Sequence, residues 1–541
     1  MHGAIACSEN HAARAGRDVL EDGGNSVDAV IAAAFVQGVT NPLHCGIGGT
    51  GSLYVWDAKT GRDVYLDFEG AVGSNEVTRT WEVLEGRKAD GANSGNFQVA
   101  GKLNAYGPGA VLLPGLVRGC WDAYHRYGSG KLPWSRLLDP AVRLARDGFD
   151  VPPYSASIWR MVHDLMGKDR PTDPSDPATA VYASPEGTPY DVGDRCVQPD
   201  LGWTLSRLAD AGGEDFYTGE IAARISEHFG DRSTITADDL AKFQTLEDSP
   251  IRGEYRGMDV AAQPFSNGSQ LICMLHIWER LGESGLTPGS LRHVELLSAV
   301  MRASFEEYSR IDHGGSDRGR SLDPEIIATA DEWADRLKDD PTAALGLARD
   351  RAGSRGTTQA IVVDSDGSIA SINHSIGNNG AALVTPGLGF IYNNFMRFFD
   401  PRPGNQRSAE PGKRMGAASS LAFFADGSPK FVVGGAGGTR IVTAMLQTTV
   451  NVFDFGMDPQ TAVATPRFHS QAGRSIFVEP RFDDGVASEL ESKGYTLSRS
   501  NYQARIQAIR IREDTDLAVD PRSQSGGRWP PPDMAADPAF A

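Results

Sequence analysis

The sequence predicts a layered α+β fold. Three observations carry that expectation. Helices and strands mix in the first third, a mostly helical run covers about Gly115–Asp335, and strands return after Gly356. Strands, then helices, then strands again differ from the even alternation that builds a parallel βαβ sheet. A chain of 541 residues can bury one very large core or a few ordinary ones, and no internal repeat divides it.

In chain order, Asn10–Asp22 and Ser26–Val39 carry helical periodicity, with Gly23-Gly24 as the stop between them. SLYVWD (Ser52–Asp57) and RDVYLDF (Arg62–Phe68) read as a hairpin through Ala58–Gly61. LVRGCWDAYHRYG and LRHVELLSAVMRASFEEYSRI place apolar residues three and four apart, as helices do. HGGSDRGRS (His313–Ser321) and the stretch from Asp339 to Gly356 read as surface loop or linker. TTQAIVVDSDGSIASINHS is a second hairpin, turning through Asp364–Gly367. GFIYNNFM, SLAFFADGSPKFVVGG, a helix over Thr439–Phe453 and SIFVEPRF follow. The tail Asp516–Ala541, rich in Pro, Gly and Asp, is expected to be poorly ordered.

Composition narrows the function. The net charge of −18 disfavours nucleic acid and anionic membranes, because phosphate binding needs clustered Lys and Arg. Hydrophobic content of 40% and charged content of 23% are ordinary globular values. Cys7, Cys45, Cys120, Cys196 and Cys273 are odd in number and widely spaced, which argues against a disulfide framework or a zinc site. No basic segment followed by a long apolar run opens the chain, and no apolar stretch reaches the roughly 18 residues of a membrane span. The expectation is a cytoplasmic protein with no metal and no organic cofactor.

Two glycine motifs stand out. GIGGTG (Gly46–Gly51) matches the spacing of a dinucleotide fingerprint, but it follows Asn-Pro-Leu-His-Cys and runs into a strand rather than opening a helix. It reads as a tight turn with close backbone contact. GGAGGTR (Gly434–Arg440) follows the strand KFVV and opens a helix. It is either a plain strand-to-helix turn or an oxyanion hole made by the N–H groups of Gly437 and Gly438. HExxH, EF-hand and GxSxG patterns are absent from the sequence.

Thr357 raises a sharper question. A Thr-Thr pair at a strand start is commonly β-propensity alone. One chemistry gives the position meaning. If the Gly356–Thr357 bond is cut, Thr357 gains a free α-amino group, ordinarily of pKa about 7.7–8.0, that can act as base for its own hydroxyl.

These stretches together resemble the γ-glutamyltranspeptidase (glutathione hydrolase) family of N-terminal-nucleophile hydrolases. The resemblance runs from about Gly3 to Arg522. It rests on GGNSVDAVIAAAFVQGVTNP, GIGGTGSLYVWDAKTG, LLPGLVRGCWDAYHRYG, QPDLGWTLSRLADAGGEDFYTGEIA, PIRGEYRGMDV, GTTQAIVVDSDG, PGKRMGAASS, GGAGGTRIVTAMLQTTVNVFDFGMDPQTAVATPRFHSQ and VEPRF, in that order. It implies a four-layer αββα sandwich with an added helical region. It also implies a precursor that cleaves itself into a large subunit (1–356) and a small one (357–541), both contributing to one core. Thr357 would be the nucleophile, Ser375 the hydroxyl that steadies it, and Gly437 and Gly438 the oxyanion hole. A small-molecule substrate is implied, and further pairing of two processed heterodimers stays open.

The sequence departs from the family where the glutamyl group is held. The family's carboxylate-binding arginine falls in DFEGAV, where Glu69 stands instead. Ala417 and Ala418 stand where two serines are expected. The stretch after Asn393 offers Asn394, Phe395, Arg397 and Phe398 in place of acidic partners for the α-amino group, and a family asparagine is Gly377. A desolvated α-carboxylate and α-ammonium need charge-matched partners, which alanine and phenylalanine do not supply. The leading expectation is therefore a self-processing, Thr-dependent hydrolase or acyltransferase with a non-glutamyl acyl donor, passing the acyl group to water or an amine. The alternatives are an ordinary glutathione hydrolase, hydrolytic C–C cleavage of a keto-acid, and a catalytically dead scaffold.

Overall fold

The computed structural model of the chain describes residues 3–84, 97–169, 177–264, 267–311, 324–345, 356–404, 408–415, 420–501, 504–512 and 515–523. The loop His313–Ser321 lies outside these residues, as does most of the linker that precedes Gly356. The principal strands are β1 (Ala4–Cys7), β2 (Thr50–Asp57), β3 (Arg62–Phe68), β4 (Leu246–Asp248), β5 (Ile251–Tyr255), β6 (Met258–Ala262), β7 (Gly356–Val363), β8 (Ile369–Gly377), β9 (Ser420–Ala425), β10 (Ser428–Ala436), β11 (Arg505–Arg510) and β12 (Asp516–Val519). They form two six-stranded sheets, ordered β1-β7-β8-β2-β3-β4 and β12-β11-β10-β9-β6-β5. Neighbours in both sheets run antiparallel.

Period-two side-chain alternation explains the layering. In β7, Ala360 and Val362 enter a core shared with helices, whereas Ile361 and Val363 face the other sheet. In β9, Leu421 and Phe423 point outward to a second helical core and Ala422 and Phe424 point inward. The sheets therefore meet through one apolar layer and each carries helices on its far side. Helices α1 (Asn10–Glu21), α2 (Ser26–Thr40), α3 (Leu116–Tyr127), α4 (Trp134–Asp147) and α5 (Pro199–Ala211) pack on the first sheet. Helices α6 (Gly268–Leu281), α7 (Leu291–Ile311), α8 (Pro324–Asp339) and α9 (Arg440–Phe453) pack on the second. This is the αββα sandwich.

Helix α2 shows why the sequence folds this way locally. Asn25 and Asp28 close a reciprocal capping box at its start. The run AVIAAAFV is apolar all round, so the helix sits buried between the sheet and the outer helices.

The structure differs from the sequence expectation at two places. The mostly helical middle contains the β5–β6 hairpin, which forms the edge of the second sheet. These short strands lack a long alternating pattern and are defined by their partner β9. The expected disordered tail is also corrected for Asp516–Ser523. Asp516–Val519 pairs with β11, and the following Asp520 is fully buried against Arg467 and Arg522. Composition alone misses this, because the strand partner β11 and the cation Arg467 come from elsewhere in the fold. Residues 524–541 lie outside the described chain.

Candidate active site

Thr357 occupies a bulge. Gly356 pairs with Gly377 and Thr358 with His374, and the register shifts between them. Such a bulge re-aims one side chain at the end of a ladder. Thr357 is 1% exposed, and its hydroxyl donates to the carbonyl of Gly356 at 2.8 Å and lies 3.3 Å from Ser375 Oγ. Ser375 on β8 also donates to the Gly356 carbonyl and itself accepts from the Gly377 N–H at 3.0 Å. The carbonyl that precedes Thr357 is thus polarised by a hydroxyl already fixed in place. Gly356 has no room for a side chain: a Cβ there would stand 2.6 Å from the Gly377 carbonyl and 3.1 Å from that of Leu43.

The β10–α9 turn carries Gly437 and Gly438, with φ of +142° and +64°. A Cβ on Gly437 would stand 2.6 Å from the Cα of Ala504, so glycine is required by both conformation and space. No side chain caps α9, which leaves its first N–H groups without that partner. The register ties this turn to Thr357. Ala436 pairs with Arg505, whose guanidinium donates from Nη2 to the Thr357 carbonyl at 2.7 Å.

The GIGGTG turn is what the sequence suggested, a place of close backbone approach. A Cβ on Gly49 would meet the Ser375 carbonyl at 2.5 Å, and Thr50 pairs with Ser375. Glu69 reaches the same place: it is buried and accepts from the Thr50 hydroxyl at 2.9 Å.

Asn394 adjoins the site through its N–H to the Ile376 carbonyl. Its amide is committed to backbone, accepting from Asn378 N–H and donating to Gly380 carbonyl, each at 2.8 Å. Phe395 is buried in an apolar cluster with Val72, Leu112, Met396 and Phe399, against which Phe398 packs. Arg397 shares the turn Phe395–Phe398 and is half-buried. Ala417 and Ala418 lie outside the described residues.

Sequence reasoning missed a buried polar hub beside Thr357. Glu9 accepts from Gln37 Nε2 at 2.6 Å and Asn41 Nδ2 at 2.7 Å, and the Thr358 hydroxyl donates to it at 3.3 Å. His374 meets Gln37 Oε1 at 3.0 Å, and burial pushes its imidazole down to about 3, so it stays neutral. One signal was present: Glu9 stands at the N-cap of α1, where Ser, Thr, Asp or Asn is preferred, and it makes no capping bond. All five cysteines are free and buried. Among the described residues, no three or more His, Cys, Asp or Glu side chains gather so as to hold a metal, and no helix is long and apolar enough to cross a membrane.

A family model of gamma-glutamyltranspeptidases matches residues 12–528. The chain belongs to the gamma-glutamyltranspeptidase family. Relatives within and around it carry different activities in their names. A glutathione hydrolase proenzyme of Pseudomonas aeruginosa is 30% identical, covering 97% of this chain and 94% of its own. Acylase ACY 1 proenzyme of Pseudomonas sp. (strain SE83) is also 30% identical, covering 92% and 88%. The crystal structure of cephalosporin acylase from Bacillus halodurans superposes with a TM-score of 0.80 at 25% identity, covering 97% and 95%. This gamma-glutamyltranspeptidase homologue is thus an enzyme with the N-terminal-nucleophile hydrolase fold, a self-processing hydrolase or acyltransferase. It is a precursor that is processed into a large and a small subunit and acts on a small molecule.

Proposed function

We propose that the chain cuts itself between Gly356 and Thr357 and then uses Thr357 to transfer a non-glutamyl acyl group to water or an amine. The observation that carries this reading is the Gly356 carbonyl held by Ser375 beside the Thr357 hydroxyl. In maturation, Thr357 Oγ attacks the Gly356 carbonyl carbon. The C–N bond breaks and an ester joins Gly356 to Thr357 Oγ. Water hydrolyses the ester, leaving a carboxylate on Gly356 and a free amine on Thr357. In turnover that amine takes the hydroxyl proton as Oγ attacks the substrate carbonyl. N–H groups of Gly437 and Gly438 donate to the developing oxyanion. The leaving amine departs protonated, and water or a second amine resolves the acyl-enzyme.

The surroundings support a non-glutamyl donor. Glu69, buried one hydrogen bond from Thr50, would repel an α-carboxylate, and Phe395 and Phe398, packed in an apolar cluster, supply no acidic partner for an α-ammonium. The likeness to proteins named acylases points the same way.

Intact mass and a denaturing gel on wild type and Thr357→Ala test the nucleophile. The expected result is two fragments of about two-thirds and one-third length in wild type, the smaller starting at Thr357, and one uncut chain in the variant. A panel of N-acyl amides set against γ-glutamyl anilide then tests the donor. Turnover of the γ-glutamyl anilide well above every other amide would return the protein to the glutathione hydrolases.

A further inference from the structure

The two residues that would open the small subunit are gripped by charged groups that the catalytic machinery above does not include. Arg505 donates to the Thr357 carbonyl at 2.7 Å, and its guanidinium lies 4.5 Å over the ring of Tyr154. Glu9 reaches the next residue through the Thr358 hydroxyl and is itself held by Gln37 and Asn41. Both grips lie on the C-terminal side of the Gly356–Thr357 bond, so cutting that bond leaves them in place. The nitrogen and carbonyl oxygen of one residue are about 3 Å apart. The Arg505 charge therefore stands within the roughly 4–6 Å over which a neighbouring charge shifts a proton equilibrium.

We propose that Arg505 and Glu9 are an opposed pair of positioning residues that hold the freed amine of Thr357 and set its proton affinity, Arg505 favouring the free base and Glu9 the ammonium. This rests on the reading in which that amine is the base. A like charge disfavours protonation, and the free base is the form that can take the hydroxyl proton. Arg505 dominates because it touches Thr357 itself. Glu9 touches only Thr358, one residue further from the amine, and its carboxylate is shared with Gln37 and Asn41.

The other titratable groups on the surrounding elements do not replace this pair. His374 of β8, opposite Thr358, stays neutral. His44, whose carbonyl accepts from Ile376, is held well below its ordinary value by burial and then by Arg505. Burial pushes the Cys7 and Cys45 thiols up, which keeps them neutral. Glu69 meets this region through Thr50, on the far side of Ser375. Arg440 lies in the first turn of α9, beyond the glycine pair.

Acetylation of the mature protein by acetic anhydride across a pH series, read by the mass of the lysine-free N-terminal peptide of the small subunit (Thr357–Arg397), gives the titration of the Thr357 amine without any substrate. The wild-type amine is expected to titrate below the ordinary α-amino range of about 7.7–8.0. Arg505→Gln should raise that midpoint by about one pH unit or more, Arg505→Lys should restore most of it, and Glu9→Gln should lower it. Roles confined to folding would change the yield or melting of these variants and leave the midpoint alone. Equal midpoints in all variants, or shifts of Arg505→Gln and Glu9→Gln in the same direction, would overturn the proposal. If Arg505→Gln does not mature, the Glu9→Gln and Arg505→Lys midpoints decide. A wild-type small subunit that begins elsewhere than Thr357 would instead overturn the nucleophile assignment.

Discussion

At the scale of single residues, Ser375 has the clearest consequence. It touches the Gly356 carbonyl, and its own oxygen is fixed by the Gly377 N–H. Removing one positioned donor from a developing oxyanion costs on the order of 100-fold or more in rate. Ser375→Ala should therefore slow the appearance of the two fragments by about 100-fold, while Ser375→Thr, which keeps the hydroxyl, should process at a rate nearer wild type. A time course on a denaturing gel measures this; equal rates for Ser375→Ala and wild type would remove Ser375 from self-cleavage. The sequence pointed to Ser375 through a family position, and to Thr357 because a strand begins there after a glycine. Glu9 and Arg505 belong to no motif, and only the unusual N-cap position of Glu9 marks either of them, because Glu9 acts on a residue 349 positions away along the chain and Arg505 on one 148 away.

At the scale of elements, β12 is the least expected piece. Asp520, just past its end, accepts from Ile506 N–H at 2.8 Å and pairs with Arg467 and Arg522. Arg522 also bonds Glu479, so two carboxylates and two guanidinium groups tie the C-terminal segment to the stretch between Arg467 and Glu479. Burial pushes the Asp520 carboxyl up, but Arg467 and Arg522 outweigh it and hold it below the usual carboxylate range. The sign follows. Unfolded Asp titrates near pH 3.9, so the pair stabilises the fold above that pH and loses its contribution as pH falls through the folded value. Asp520→Asn should destabilise the protein by about 3–5 kcal/mol at neutral pH. The gap from wild type should close below about pH 4. Chemical denaturation at several pH values would reveal a constant gap if the pair were not responsible. The β7–β8 hairpin, in contrast, was legible because its turn is local: Asp364 accepts from the N–H groups of Asp366 and Ser368, and Gly367 takes φ of +89°.

For the whole molecule, the proposed cut falls between strands that share the same sheets. Strands from before Gly356 flank strands from after it in both sheets, through the β1–β7, β2–β8 and β6–β9 ladders. Separating the fragments would expose the apolar layer between the sheets and both helical cores. The mature fragments should therefore elute together on gel filtration and unfold in a shared transition. Separation of the fragments without denaturant would mean that the ladders do not hold them.

The sequence by itself determined the layered α+β class, the hairpins around Ser52–Phe68 and Thr357–Ser375, helix α9 with its glycine turn, and the family from which Thr357, Ser375, Gly437 and Gly438 were singled out. Those features are written in short-range periodicity, turn residues and contiguous motifs. Only the tertiary structure decided that a bulge isolates Thr357, that Glu69 lies against Thr50, that Asp516–Val519 completes a sheet, and that Arg505 and Glu9 converge on the first residues of β7. Each depends on which faces of distant elements meet, and the energy of a buried charge or carbonyl is set by the partners that meet it rather than by its neighbours in the chain.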